Sequence, residues 1–149
     1  MKKFKQLQLK TLDNYLSNVR ICEQPSDGWI RSVRKAIGMS VAQLAERIGI
    51  THQTASQLEA NELDNSITLR TLRRAAEAMD CKLVYAIIPN YGSLQDIVKK
   101  QAYRKAKTIV KSVDHTMLLE AQQVGNLEEK ITETADELAK ELNSKLWNK

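Results

Sequence analysis

The chain has 149 residues, 42% of them hydrophobic, with 23 lysines and arginines against 18 aspartates and glutamates and a formal charge of +5. This is enough apolar material for one ordinary core with a second small helical unit beside it, and the basic balance favours polyanionic partners without requiring one. The longest apolar run, LVYAII at 83–88, is far short of the ~20 residues that cross a bilayer as a helix, and MKKFK is followed by QLQLKTLDNYL rather than by a continuous apolar segment, so the sequence reads as soluble and cytoplasmic with no membrane partner.

Leu9, Leu12, Leu16 and Val19 recur at spacings of three and four and predict an amphipathic helix over 7–20, within an N-terminal segment 1–24. PSDG at 25–28 breaks the chain. Cys22 and Cys81 fit no metal-ligand spacing and read as reduced thiols, so no cofactor or metal is expected.

A domain over 25–81 follows. Asp27 is placed to cap a helix starting at Trp29, with Ile30, Val33 and Ile37 inward and Gly38 closing it. Ser40 caps a short helix with Val41, Leu44, Ala45 and Ile48 inward, which Gly49 stops. Thr51 caps the next helix, carrying Ala55 and Leu58, and Thr68 caps another with Leu69, Leu72, Ala75, Ala76 and Met79 inward.

Gly49 is the informative residue. A left-handed backbone turn lets the chain leave one helix and enter another steeply within a few residues, and glycine adopts it without a side-chain clash. Ala45 is small enough for the two helices to cross closely, and Ile50 and Leu58 hold the second against the first. What stays outside is a polar first turn. The major groove of B-DNA admits one α-helix and presents base-edge donors and acceptors that His52, Gln53, Ser56 and Gln57 can match. The helix N-terminus offers backbone N–H groups to a phosphate near Thr51. Ser40, Arg47, Thr54 and Asn61 complete the candidate set for double-stranded DNA, and Arg31, Arg34, Lys35, Arg70, Arg73 and Arg74 are further cations for phosphate.

CKLVYAIIP reads as a strand over 82–89, with Leu83, Tyr85 and Ile87 on one face. A lone strand leaves its backbone groups unpaired, so the expectation is an antiparallel ribbon with the same strand of a second copy, making a homodimer; the alternative is an extended segment lying on its own helices. A two-fold dimer would meet an inverted-repeat operator.

The region 90–149 reads as two long helices. Leu94, Ile97, Val98, Ala102, Ala106, Ile109, Val110, Val113 and Met117 trace one apolar stripe, and Leu127, Ile131, Leu138, Leu142 and Leu146 trace another. These can pack on each other, on the bundle or on a partner. Lys99, Lys100, Arg104, Lys105, Lys107 and Lys111 make the first half basic, so it touches DNA phosphate or balances the acidic second half.

The stretch Met39 to Asn61 resembles the helix-turn-helix of the phage-repressor (Xre-like) class, through LAERIG, the Thr51 cap, and QLEANE where that class shows QLENG or a close variant. The class often has glutamine at the first residue of the earlier helix, where this chain has Val41. Residues from about 7 to 122 resemble the family of mobile mystery protein A, through GWIRSVRKAIGMSVAQLAERIGI, SITLRTLRRAAEAMDCKLVYAIIP, QAYRKA and VDHTMLLE. These resemblances imply a mainly α fold: a five-helix Xre-like helix-turn-helix bundle, one short β-strand and two long C-terminal helices. They imply a DNA-binding repressor that doubles as the antitoxin of a Fic-domain toxin. Fic-inhibiting helices present Ser or Thr, three residues, Glu, then Gly or Asn; the nearest match is Thr116 to Glu120 in TMLLEA, with Ala121 at the last place.

Catalysis finds little footing. Asp114 and His115 are sequence neighbours that point to different faces of a helix, and no glycine-rich phosphate loop, paired-carboxylate motif or nucleophile elbow is present. The expected function is thus non-enzymatic; the rival to a DNA reader is an interaction module that neutralises a partner protein without reading DNA.

Overall fold

The computed structural model describes residues 1–117 and 126–148, with the backbone alone for 114–117. The helices run in the order α1 (Lys2–Ser17), α2 (Trp29–Ala36), α3 (Val41–Ile48), α4 (His52–Leu63), α5 (Leu69–Ala78), α6 (Leu94–Met117) and α7 (Leu127–Glu141), followed by a 3-10 turn at Ser144–Trp147. They divide into two compact units, Arg20–Tyr85 and Met1–Val19 with Ala86–Lys149.

In the unit Arg20–Tyr85, each of α3, α4 and α5 begins at a hydroxyl cap. Ser40 Oγ accepts from Gln43 N at 3.2 Å while Gln43 Oε1 accepts from Ser40 N at 2.8 Å, a reciprocal box that satisfies two otherwise unpaired donors. Thr51 and Thr68 accept from Thr54 N at 3.1 Å and Thr71 N at 3.2 Å. Gly49 has φ +82° and ψ 38°, and both Gly49 N and Ile50 N donate to Ala45 O at 2.9 Å, closing α3. A β-carbon at Gly49 would meet nothing within 4 Å, so the requirement for glycine there is the backbone angle and not crowding.

The core of this unit is Ile30, Leu44, Ala75 and Met79, with Val33, Met39, Ile48, Ile67 and Leu72 packed around it. Ala45 and Ala55 are buried on α3 and α4, which pack against each other across the Gly49 corner. Ile37 and Leu69 depart from expectation and are exposed: α2 ends at Ala36, before Ile37 completes the inward face, and Leu69 sits in the first turn of α5. The cap of α2 also differs. Gly28, not Asp27, occupies the N-cap at φ +79°, and Asp27 instead pairs with Lys35 at 3.3 Å.

The expected strand at 82–89 is absent: among the described residues there is no β-strand, and 81–89 is irregular backbone. The fold is all-helical where a mainly α bundle with one short β-strand was expected. Alternating apolar side chains do not make a strand without a ladder, and among the described residues no other strand pairs with it. Leu83 is half-buried and lines an apolar cavity of about 250 Å³ with Trp29, Ile30, Val33, Leu72 and Met79, whereas Tyr85 and Ile87 are exposed.

In the other unit the two apolar stripes meet each other. Val98, Ala102, Ala106 and Val110 of α6 pack on Ile131 and Ala135 of α7 and on Leu146, with Leu9 of α1 at the edge. Ala102 and Ala106 have no exposed surface, and their small side chains allow the close helix approach. Two devices start α6. Ser93 and Asp96 form a local box, with Ser93 N donating to Asp96 Oδ2 at 2.8 Å and Asp96 N to Ser93 Oγ at 3.1 Å. Asp13 of α1 then accepts from Leu94 N at 2.7 Å and Gln95 N at 3.1 Å. The side chains of Asp114, His115 and Thr116, and all of Glu120, lie outside the described residues. No described helix is long and apolar enough to cross a membrane.

Candidate nucleic-acid interface

The polar turn after Gly49 emerges as the exposed start of α4. Thr51 adopts extended backbone, its hydroxyl takes up the Thr54 N–H, and the Thr51 and Thr54 hydroxyls lie 2.7 Å apart in a shared hydrogen bond. The remaining N–H groups of the first turn, at His52 and Gln53, face outward from the positive end of the helix dipole. His52, Gln53, Thr54 and Gln57 are exposed, and Ser56 and Asn61 are half-buried. Gln53, Gln57 and Asn61 follow at four-residue steps and so share one face of the helix. Gln57 Nε2 donates to Asn61 Oδ1 at 2.8 Å, which orients the Gln57 amide along that face.

The opposite side of α4 is held by two buried glutamates. Glu59 accepts from Arg34 Nε at 2.6 Å, Arg34 Nη2 at 3.2 Å and Arg31 Nε at 2.9 Å, and Arg34 Nη1 donates to Met39 O at 2.9 Å. Burial pushes the Glu59 carboxyl upward, but the hydrogen bonds and charges of Arg34 and Arg31 outweigh that and hold it below its ordinary range. Glu59 hydrogen bonding also raises Arg31. Glu62 accepts from Trp29 N at 2.7 Å and Ile30 N at 2.8 Å, with Gln24 Nε2 at 3.3 Å, so one carboxylate from α4 caps α2. A β-carbon at Gly28 would lie 3.1 Å from Glu62 Oε2, which together with the positive φ explains the glycine there. α4 is thereby bolted to α2 by charged hydrogen bonds at two successive turns.

The expected phosphate-binding cations separate into committed and available ones. Arg34 is buried on Glu59, and Arg31 shares that carboxylate. Arg47 Nη2 contacts Asp80 Oδ2 at 2.9 Å and its Nε donates to Ala78 O, so this guanidinium ties α3 to the end of α5. Arg74 Nη2 donates to Ile48 O at 3.2 Å. Arg70 and Arg73 are exposed on α5 with no partner among the described residues. Ser40 spends its hydroxyl and its backbone N–H in the box that starts α3.

Glu59 and Glu62 are the residues that reading the sequence overlooked. The available signal was two acids three apart on the inward side of α4, matched by Arg31 and Arg34 three apart on α2. Cys22 and Cys81 are both exposed free thiols, and no cluster of His, Cys, Asp and Glu among the described residues could hold a metal ion.

An exposed, capped, polar helix start delivered by a glycine corner, with its back fixed to a preceding helix, defines a helix-turn-helix unit. Residues 30–85 match the helix-turn-helix family model, a stretch that takes in α2 to α5 and the tail that follows. The match covers this unit alone, and there the chain is similar to a helix-turn-helix. No curated protein and no solved structure matches the chain.

Proposed function

We propose that the protein is a cytoplasmic, sequence-specific transcriptional repressor that binds an inverted-repeat operator as a homodimer and serves as the antitoxin of a Fic-domain toxin. The observation that carries the DNA half is the outward face of α4, where His52, Gln53 and Gln57 stand exposed above a helix anchored through Glu59 and Glu62. Thr51, Thr54, Ser56 and Asn61 flank these readers, and Arg70 and Arg73 are the cations free to meet phosphate. One such helix covers only a few base pairs, and two-fold pairing is how this class extends its reach. Of the residues expected to pair the two copies, Tyr85 is exposed at the end of the unit Arg20–Tyr85 and supplies apolar contact through its side chain rather than a strand ladder.

The antitoxin half rests on the resemblance of residues 7 to 122 to the mobile mystery protein A family, with Thr116 and Glu120 as the sequence's nearest match to the pair that obstructs a Fic active site. Selection of bound duplexes from a random pool tests the DNA half. The expected product is an inverted repeat whose half-sites lie about 34 Å apart centre to centre. A pool that stays random after selection refutes sequence-specific reading and leaves a module that neutralises a protein partner.

A further inference from the structure

α6 carries a charge pattern that the helix-turn-helix domain does not use. Lys100, Arg104, Lys107 and Lys111 follow one another at steps of four, three and four residues, all exposed. At 3.6 residues per turn these side chains fall within a sector of about 60° and run about 16 Å along the axis. The side facing away from them holds Val98, Ala102, Ala106 and Val110, which are core.

These four cations are unspent. Among the described residues none of their side chains makes an ion pair or hydrogen bond, whereas neighbouring Lys105 Nζ donates to Asn148 O at 2.9 Å. The acids of α7 do not neutralise them, since the ion pairs of this unit reduce to Lys2 with Glu141 among the described residues. Beside their apolar packing, α6 and α7 are joined by the Tyr103 hydroxyl, which donates to Glu128. Asp96, one turn before Lys100, is held by Ser93. A row of like charges at these spacings opposes its own helix, and a polyanion alongside would relieve that repulsion.

We propose that this stripe is a second, sequence-independent contact to the phosphate backbone of duplex DNA. The inference rests on the DNA-binding reading of the helix-turn-helix domain. A protein partner would be expected to meet an apolar centre with a polar rim, and no apolar side chain interrupts the row. The regular charge spacing instead suits a linear polyanion: about 16 Å runs beside roughly five phosphates of one strand at 3.4 Å each.

The test is the salt dependence of DNA affinity for the full chain, measured by fluorescence anisotropy on the selected operator and on a scrambled duplex. Substituting Lys100→Gln, Arg104→Gln, Lys107→Gln and Lys111→Gln together should lower the slope of log K against log salt by about 3 to 4, at ~0.9 per phosphate contact. The drop should be equal on both duplexes, leaving operator preference intact. A control with Lys3→Gln, Lys10→Gln, Lys130→Gln and Lys140→Gln removes the same charge from other exposed positions and should keep the original slope. An unchanged slope in the stripe variant, or an equal drop in the control, overturns the proposal and leaves the stripe to an acidic protein. If the unsubstituted chain binds neither duplex, the reading of the helix-turn-helix domain fails with it; if it binds and the stripe variant keeps the unsubstituted slope, the stripe proposal alone fails.

Discussion

Glu59→Ala is expected to cost about 3 to 5 kcal/mol of folding stability, because it strands the buried guanidinium of Arg34 without its counter-charge. Arg31, half-buried at the edge, can turn to water; Arg34 cannot. The cost belongs to the unpaired charge more than to the pair itself. Replacing Glu59 by Leu and Arg34 by Met together should therefore be much milder than Glu59→Ala alone, since a well-packed apolar pair can substitute for a buried ion pair. Acid should act in the same direction. The folded Glu59 carboxyl lies below its ordinary 4.5, so its stabilising contribution is complete above that value and disappears as the pH falls through the lower folded value. Urea unfolding near pH 7 and again near pH 3 should show the gap between the unsubstituted chain and Glu59→Gln shrinking on acidification. A gap that is the same at both pH values contradicts the ionised pair.

Gln53→Ala with Gln57→Ala is expected to erase preference for the operator while leaving the fold alone. Both side chains are exposed, and neither supports the core. A good base contact discriminates by about 1 to 3 kcal/mol, or roughly 5- to 150-fold, so the double variant should lose most of the ratio between operator and scrambled duplex. Affinity for the scrambled duplex, carried by phosphate contacts, should change little. Competition binding with both duplexes reads this directly. A variant that retains the full ratio removes α4 from the role of reader.

Features with a local cause were legible in the sequence. Ser40, Thr51 and Thr68 cap helices because each hydroxyl needs only an N–H three residues on, and Gly49 turns the corner because its backbone angle is a property of one residue. The apolar stripes of α6 and α7 were visible as helices, although only the fold shows them packed on each other. What escaped depends on distance along the chain. Glu62 caps a helix that begins 33 residues earlier, and this displaces the expected Asp27 cap. Arg34 and Arg47 read as phosphate contacts by charge, yet are committed to Glu59 and to Asp80. The strand at 82–89 failed for the opposite reason: its local alternation was real, but a strand is a relation to a neighbour.

Amide chemical shifts of the isotopically labelled full chain, followed by NMR as the selected duplex is added, test most directly whether the capped polar start of α4 enters DNA. The largest changes are expected on Thr51 to Gln57, with smaller ones at Arg70 and Arg73. Changes centred elsewhere, with the amides of His52, Gln53 and Gln57 unmoved at saturation, would contradict it.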